Sequence, residues 1–139
     1  MRISYRELPA AMVLLATAGA CQSPSEIDKL TISSKCNTPP KQVGTLLPNY
    51  HTAMTTNNDG GWCWADVTQT RPAQPLYLSS TYVTVSIPPN HGRIMIGAMP
   101  DFRIRIAYQP DDGFIGNDSF IVHYGVLNKD LIYKVTVTE

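Results

Sequence analysis

The sequence predicts an all-β fold in which strands stack as two layers, and three observations carry that expectation. The chain beyond residue 42 is rich in Thr, Val, Ile and Tyr, the side chains that half-buried pleated surfaces favour. Several short runs alternate apolar and polar residues with a period of two, while no helical or heptad periodicity and no internal repeat is visible. Clusters of Gly, Pro, Asn and Asp punctuate those runs at short intervals. At 139 residues the chain holds one such domain, which needs about 100 residues, and a leading segment.

Taken in order, Val43 to Leu47 reads as the first strand, ended by Pro48 and Asn49, and Tyr50 to Thr56 reads as irregular chain. Asn57-Asn58-Asp59-Gly60-Gly61 is a turn, because Asn and Gly tolerate positive φ. It delivers a strand in which Cys63, Ala65 and Val67 point inward and Trp62, Trp64 and Asp66 point the other way. Thr70 to Gln74 is a loop, and Thr81 to Ile87 is a strand with Val83, Val85 and Ile87 toward the core. Pro88-Pro89-Asn90 stops it. Arg93 to Gly97 follows with Ile94 and Ile96 inward, and Met99-Pro100-Asp101 turns the chain back. Phe102, Ile104, Ile106 and Tyr108 then line the core, while Arg103 and Arg105 face water. Asn128-Lys129-Asp130 joins the strand carrying Phe120 to a last one carrying Leu131, Tyr133, Val135 and Val137.

Between Tyr108 and Tyr124 the chain leaves one strand, turns through Pro-Asp-Asp-Gly, carries Phe114 inward, bends at Gly116 and re-enters a strand. Tyr108, Pro110, Phe114, Gly116, Asp118 and Phe120 resemble, in register, the corner of bacterial immunoglobulin-like domains of the cadherin-like kind. Pro89-Asn90-His91-Gly92-Arg93-Ile94 is similar to the Pro-x-x-Gly-x-Val turn of the same family. The resemblance spans roughly the C-terminal third and implies an immunoglobulin-like β-sandwich of about seven antiparallel strands. It implies no particular task, since that sandwich serves adhesion, assembly and spacing alike. At the corner, Gly116 is expected where a side chain would clash, and Asp118 where its carboxylate accepts backbone N-H groups of the bend.

The N-terminus reads as an export signal. Arg2 and Arg6 precede an apolar run from Leu8 to Ala20, too short to span a bilayer, and Ala18-Gly19-Ala20 meets Cys21. This junction resembles a bacterial lipobox, with Ala18 where that motif prefers Leu. The same alanines satisfy the small-x-small rule of the ordinary signal peptidase, which would leave Cys21 unmodified. Lipidation of Cys21 would moor the chain to a membrane, and Gln22 in the following position favours the outer membrane; a soluble periplasmic or secreted protein is the alternative. Residues 1–20 are thus a cleaved signal, 21–42 an anchor and tether, and 43–139 the sandwich.

Cysteine arithmetic supports the same compartment. Of three cysteines, Cys36 and Cys63 can pair in an oxidising environment, which leaves Cys21 an orphan thiol unless acylated. A metal site made by those two thiolates with His51 or His91 is the competing reading, without any clustered spacing behind it. Asp111, Asp112, Asn117 and Asp118 are oxygen ligands of the kind calcium takes, yet their spacing fits no known loop and carboxylates at turns commonly cap backbone. Neither a metal nor another cofactor is expected.

Eleven basic and eleven acidic residues cancel, so nothing draws the chain to nucleic acid. No nucleophile elbow, zinc-protease helix or phosphate loop is present, and His123 is expected to project outward without a partner implied by position. The expectation is therefore a non-enzymatic envelope lipoprotein with a structural, adhesive or assembly role, presenting a face to an envelope protein or polysaccharide; its oligomeric state is left open. A carbohydrate-binding module using Trp62 and Trp64 is one alternative. A periplasmic enzyme or enzyme inhibitor is another. Arg103 and Arg105, with Arg93, form a basic strip for an acidic partner or else ordinary solvated strand positions.

Overall fold

Alternation decides which residues of each strand meet between the layers. In the computed structural model, which describes residues 26–39, 41–42, 49–68, 83–99, 103–125 and 128–139, eight strands fall into two sheets. They are β1 (Lys41–Gln42), β2 (Tyr50–Asn57), β3 (Cys63–Thr68), β4 (Val83–Ile87), β5 (Gly92–Ala98), β6 (Ile104–Pro110), β7 (Gly116–Tyr124) and β8 (Lys129–Thr138). One sheet has the order β1-β3-β6-β5 and the other β2-β8-β7-β4. The fold is an immunoglobulin-like β-sandwich.

Its inner faces are those the alternation predicts. Cys63, Ala65 and Val67 of β3 and Ile104, Ile106 and Tyr108 of β6 meet Phe120, Val122 and Tyr124 of β7 and Leu131, Tyr133, Val135 and Val137 of β8. Phe120 stacks between Tyr108 and Tyr133, with centroids 5.9 and 4.6 Å away. Burial pushes the phenols of Tyr124 and Tyr133 well up from their ordinary range, and neither hydroxyl has a hydrogen-bond partner among the described residues. Such an unmet donor costs about 1–3 kcal/mol, which the ring packing offsets.

Four expectations need correction. Not every pairing is antiparallel: β1 runs parallel to β3, and β2 runs parallel to β8 from Tyr50 opposite Leu131 to Asn57 opposite Thr138. The first long strand and the last therefore lie side by side. Second, residues 50–56 are strand, not irregular chain, with Thr52, Met54 and Thr56 buried and the residues between them exposed. Threonine holds two of those three inward positions, so the hydrophobic signal is weak although the period of two is present. Third, Ile87 is 53% exposed. A register shift between Val85 and Ile87 inserts one residue into β4, so Ile87 lies opposite Ile121 and shares its outward face.

Fourth, much of the predicted tether is part of the folded body. Residues Glu26–Lys29 form one turn of 3-10 helix whose Ile27 is 2% exposed, packed with Trp62 and Ala107. A Cβ on Gly97 would stand 2.6 Å from Ile27 Cγ2, so the absence of a side chain at Gly97 makes the hole that Ile27 fills. Ile32 bridges to Trp62 and Asn37 to Thr55, and the Ser33 hydroxyl donates to the Asn57 side-chain oxygen. Cys36 and Cys63 form a disulfide, with Cα atoms 5.0 Å apart. The pairing matches the expectation and overturns the thiolate metal site, because neither sulfur is free to ligate. Among the described residues no group of three His, Cys, Asp or Glu gathers as a metal site would require. Cys21, the strand expected at 43–47, the loop at 70–74 and Phe102 lie outside the described residues.

Candidate functional site

The outer face of the β1-β3-β6-β5 sheet holds the residues that the sequence offered for binding. Alternation places Trp62, Trp64 and Asp66 of the β3 segment beside Ala107 and Arg105 of β6, through the pairs Trp64 with Ala107 and Asp66 with Arg105. The arginines are spent on this arrangement. Arg105 Nε donates to Asp66 Oδ1 at 2.8 Å and its Nη2 to Oδ2 at 3.0 Å, a two-pronged pairing that fixes the guanidinium plane. Arg103 Nη1 donates to the same Oδ2 at 2.7 Å. The Arg105 guanidinium lies 4.3 Å from the centroid of Trp64, and that of Arg93 lies 5.0 Å from Trp62, each over the electron-rich ring face.

Trp62 is only 8% exposed, covered by Ile27, and its backbone is tied to the leading segment: Trp62 N-H donates to Thr31 O and Ser33 N-H to Trp62 O, both at 2.8 Å. A sugar would have to displace that cover before it could stack on the ring. The expectation of an open tryptophan pair is corrected on this ground: Trp62 is part of the packing, and half-buried Trp64 already carries a guanidinium on one face. Arg103 and Arg105 do not face water as an uncompensated strip, since one carboxylate neutralises part of their charge.

At the other expected site, the corner, Asp118 is the hub. Its Oδ1 accepts from Asn90 N-H at 3.0 Å and Ser119 N-H at 2.8 Å, and its Oδ2 from His91 N-H at 2.9 Å and the Tyr108 hydroxyl at 3.0 Å. A carboxylate 8% exposed thereby fastens the turn before β5 to the start of β7, and so one sheet to the other. Burial, with the Asp118 charge next in importance, raises the Tyr108 phenol well above its usual range. Phe114 lies half-buried and stacks on His91 with centroids 4.2 Å apart, and Pro110 is buried at the end of β6. Gly116 has φ of 138°, and a Cβ there would meet Phe114 only at 3.5 Å, an ordinary contact. Its backbone conformation, not a clash, therefore calls for glycine. The clash lies instead at Gly92, where a Cβ would stand 2.5 Å from the Tyr108 ring and 2.7 Å from Gln109 O.

A third clamp escaped the sequence reading. Asp59 accepts from Ser34 N-H at 2.9 Å and from Gly61 N-H at 3.0 Å, and these bonds, Ser34 first, hold its carboxyl down to about 2. Asn-Asp-Gly signalled a turn, but nothing local revealed that a residue 25 positions earlier would be its partner. His123, for which no partner was expected, lies with Nδ1 2.6 Å from Asp130 Oδ1 across the β7–β8 pair.

The outer face of the β2-β8-β7-β4 sheet was not singled out by the sequence. His51, Ala53 and Thr55 of β2, Lys134 and Thr136 of β8, Asn117 and Ser119 of β7 and Thr84, Ser86 and Ile87 of β4 are all exposed on it, with Ile121 and Ile132 half-buried among them. Direct pairing sets Ile87 beside Ile121 and Ile121 beside Ile132, so three isoleucines make one row across three strands.

No protein-family model and no curated protein matches the chain. Among solved structures, the chain is similar to the cysteine protease inhibitor EhICP2 from Entamoeba histolytica, with 14% identity over 71% of this chain and 97% of that one, at a TM-score of 0.38. A likeness of that degree adds nothing about what this chain does.

Proposed function

We propose that this chain is an exported, lipid-anchored immunoglobulin-like domain that acts without catalysis, presenting a face of its sandwich to a partner in the cell envelope. The observation that supports it most is the Cys36–Cys63 disulfide. Such a bond belongs to an oxidising compartment, in keeping with the export signal at residues 1–20, and it leaves Cys21 the single thiol of the exported chain. Acylation of Cys21 removes that thiol and fixes the domain to the membrane. The resemblance of the corner to cadherin-like domains fits the same reading.

Docking of residues 26–39 changes what the anchor does. Between Cys21 and Glu26 lie four residues, so the leash extends at most about 18 Å, where a tether reaching residue 42 would have extended four times as far. A domain on so short a leash is held at the bilayer surface. Three carboxylates, Asp66, Asp118 and Asp59, are committed to holding segments together, which suits a presenting role. The tryptophans support no carbohydrate-stacking role while the leading segment covers Trp62.

Membrane fractionation tests the proposal. The wild-type chain is expected in the membrane fraction, labelled by an alkyne-bearing fatty acid, and Cys21→Ser is expected in the soluble fraction without label. Persistence of Cys21→Ser in the membrane would rule out the lipid anchor.

A further inference from the structure

We infer that the outer face of the β2-β8-β7-β4 sheet is a self-association surface that takes a second copy of this chain across a two-fold axis passing over Ile132. The inference builds on the reading of the chain as a partner-presenting domain and names the partner.

Self-complementarity is written along β8. Asp130, Ile132 and Lys134 all point outward from this strand, with a carboxylate two residues to one side of Ile132 and an ammonium two residues to the other. A two-fold axis lying in the face and crossing β8 at Ile132 sets one β8 antiparallel over the other. Ile132 then meets Ile132, while Lys134 of each copy stands over Asp130 of the other, so both ion pairs form at once. Asp130 is already oriented by His123 at 2.6 Å. The row of Ile87, Ile121 and Ile132 supplies an apolar centre, and Ile87 reaches it only because the register shift in β4 turns it outward.

The rest of the face suits close approach of a like surface. Ala53, Thr55, Ser119 and Thr136 are short, so beyond the isoleucine row what rises above the plane is Lys134 and, next to Ile132 on β2, His51, and two sheets can stack about 10 Å apart around them. Strands of 8, 10, 9 and 5 residues, about 3.3 Å per residue and about 4.8 Å apart, present about 500 Å2, so two copies bury on the order of 1,000 Å2 together. That is the lower bound for a specific interface, and it fits a dimer that forms and separates. The opposite outer face offers no such plane, since Ile27 and the leading segment lie across it. A polar groove of about 540 Å3 beside Lys134, bordered by Asn90, Asn117 and Thr136, is the place where a polysaccharide would compete for the same surface.

Cysteine scanning of the full chain, exported and extracted in mild detergent, tests the axis. Ile132→Cys is expected to run mainly as a reducible covalent dimer. Lys134→Cys and Asp130→Cys should cross-link when mixed and not when alone, whereas Lys29→Cys on the opposite side should stay monomeric. In sedimentation velocity, Lys134→Asp should raise the dissociation constant about tenfold or more, and adding Asp130→Lys to it should restore the wild-type value within about threefold. If Ile132→Cys does not fold, sedimentation of the wild type decides. A wild-type monomer at concentrations on the order of 100 μM, cross-linking at Ile132→Cys no greater than at Lys29→Cys, or a charge swap without recovery overturns the surface. So does a monomer whose Lys134 and Asn117 resonances move only when an acidic polysaccharide is added. A monomer that still fractionates with membranes through Cys21 defeats this surface and leaves the anchored reading intact.

Discussion

On one outer face of the sandwich, Ile27 fills the space above Gly97, Trp62 lies under the leading segment, and Arg103 and Arg105 close on Asp66. On the other, Ile87, Ile121 and Ile132 form a row flanked by Lys134 and by Asp130, and most of the side chains around them are exposed. Both faces belong to four-stranded sheets and each carries isoleucine, although the bare sheet has the longer strands. What separates them is whether the chain has spent a segment of itself on the cover. The uncovered face is the one on which the proposed partner would sit.

The largest way to break this contrast is to release the cover. Cys36→Ala with Cys63→Ala opens a loop of sequence separation 27, and chain-entropy arguments put the loss at about 3.5 kcal/mol. Urea unfolding should show the midpoint fall, and reductant should have the same effect on the wild type and none on the variant. Next come two substitutions of the same residue type on opposite faces. Ile27→Ala removes a buried side chain from its hole and is expected to cost about 2–3 kcal/mol, with faster proteolysis ahead of Cys36. Ile132→Ala on the bare face should change the monomer's stability by no more than about 0.5–1 kcal/mol. Equal losses at the two positions would erase the distinction between the faces.

The smallest effect sharpens how the cover is tied down. Asp59 is held at about 2 in the folded chain against an ordinary 3.8, so its contribution is complete above pH 3.8 and is lost as pH falls toward 2. Acid titration of stability should therefore steepen in that window, and Asp59→Asn should flatten it. Because the carboxylate is in solvent, added salt should shrink the difference.

What could be read in the sequence was whatever a strand declares about itself. Ile104, Ile106 and Tyr108, or Phe120, Val122 and Tyr124, show their inward face by alternation, and the Gly-Asn-Asp of the corner announces a bend that Asp118 then fastens. Residues whose role is set by a distant neighbour could not be read so. Ile27 stands almost alone in polar chain and looked like part of a tether; only the hole above Gly97, 70 positions later, gives it somewhere to go. Ile87 obeys the alternation until one inserted residue turns it outward. Trp62 and Arg93 looked available because sequence shows exposure of a face and not what will lie across it. Strand β2 shows its period of two only faintly, since Thr52 and Thr56 occupy inward positions where larger apolar side chains would make the pattern plain.

The crosslink between Cys36 and Cys63 also sets how the domain would carry load. Tension entering ahead of Glu26 first meets the wedge of Ile27 and the bonds of residues 31–34 to Trp62 and Asp59, then passes through sulfur into β3 of the β1-β3-β6-β5 sheet. The 26 residues between the two cysteines, β2 among them, are bypassed, so roughly 90 Å of contour is withheld from stretching. Pulled from the residues ahead of Glu26, the chain would thus yield first at the Ile27 plug, with the stretch between the cysteines held in reserve.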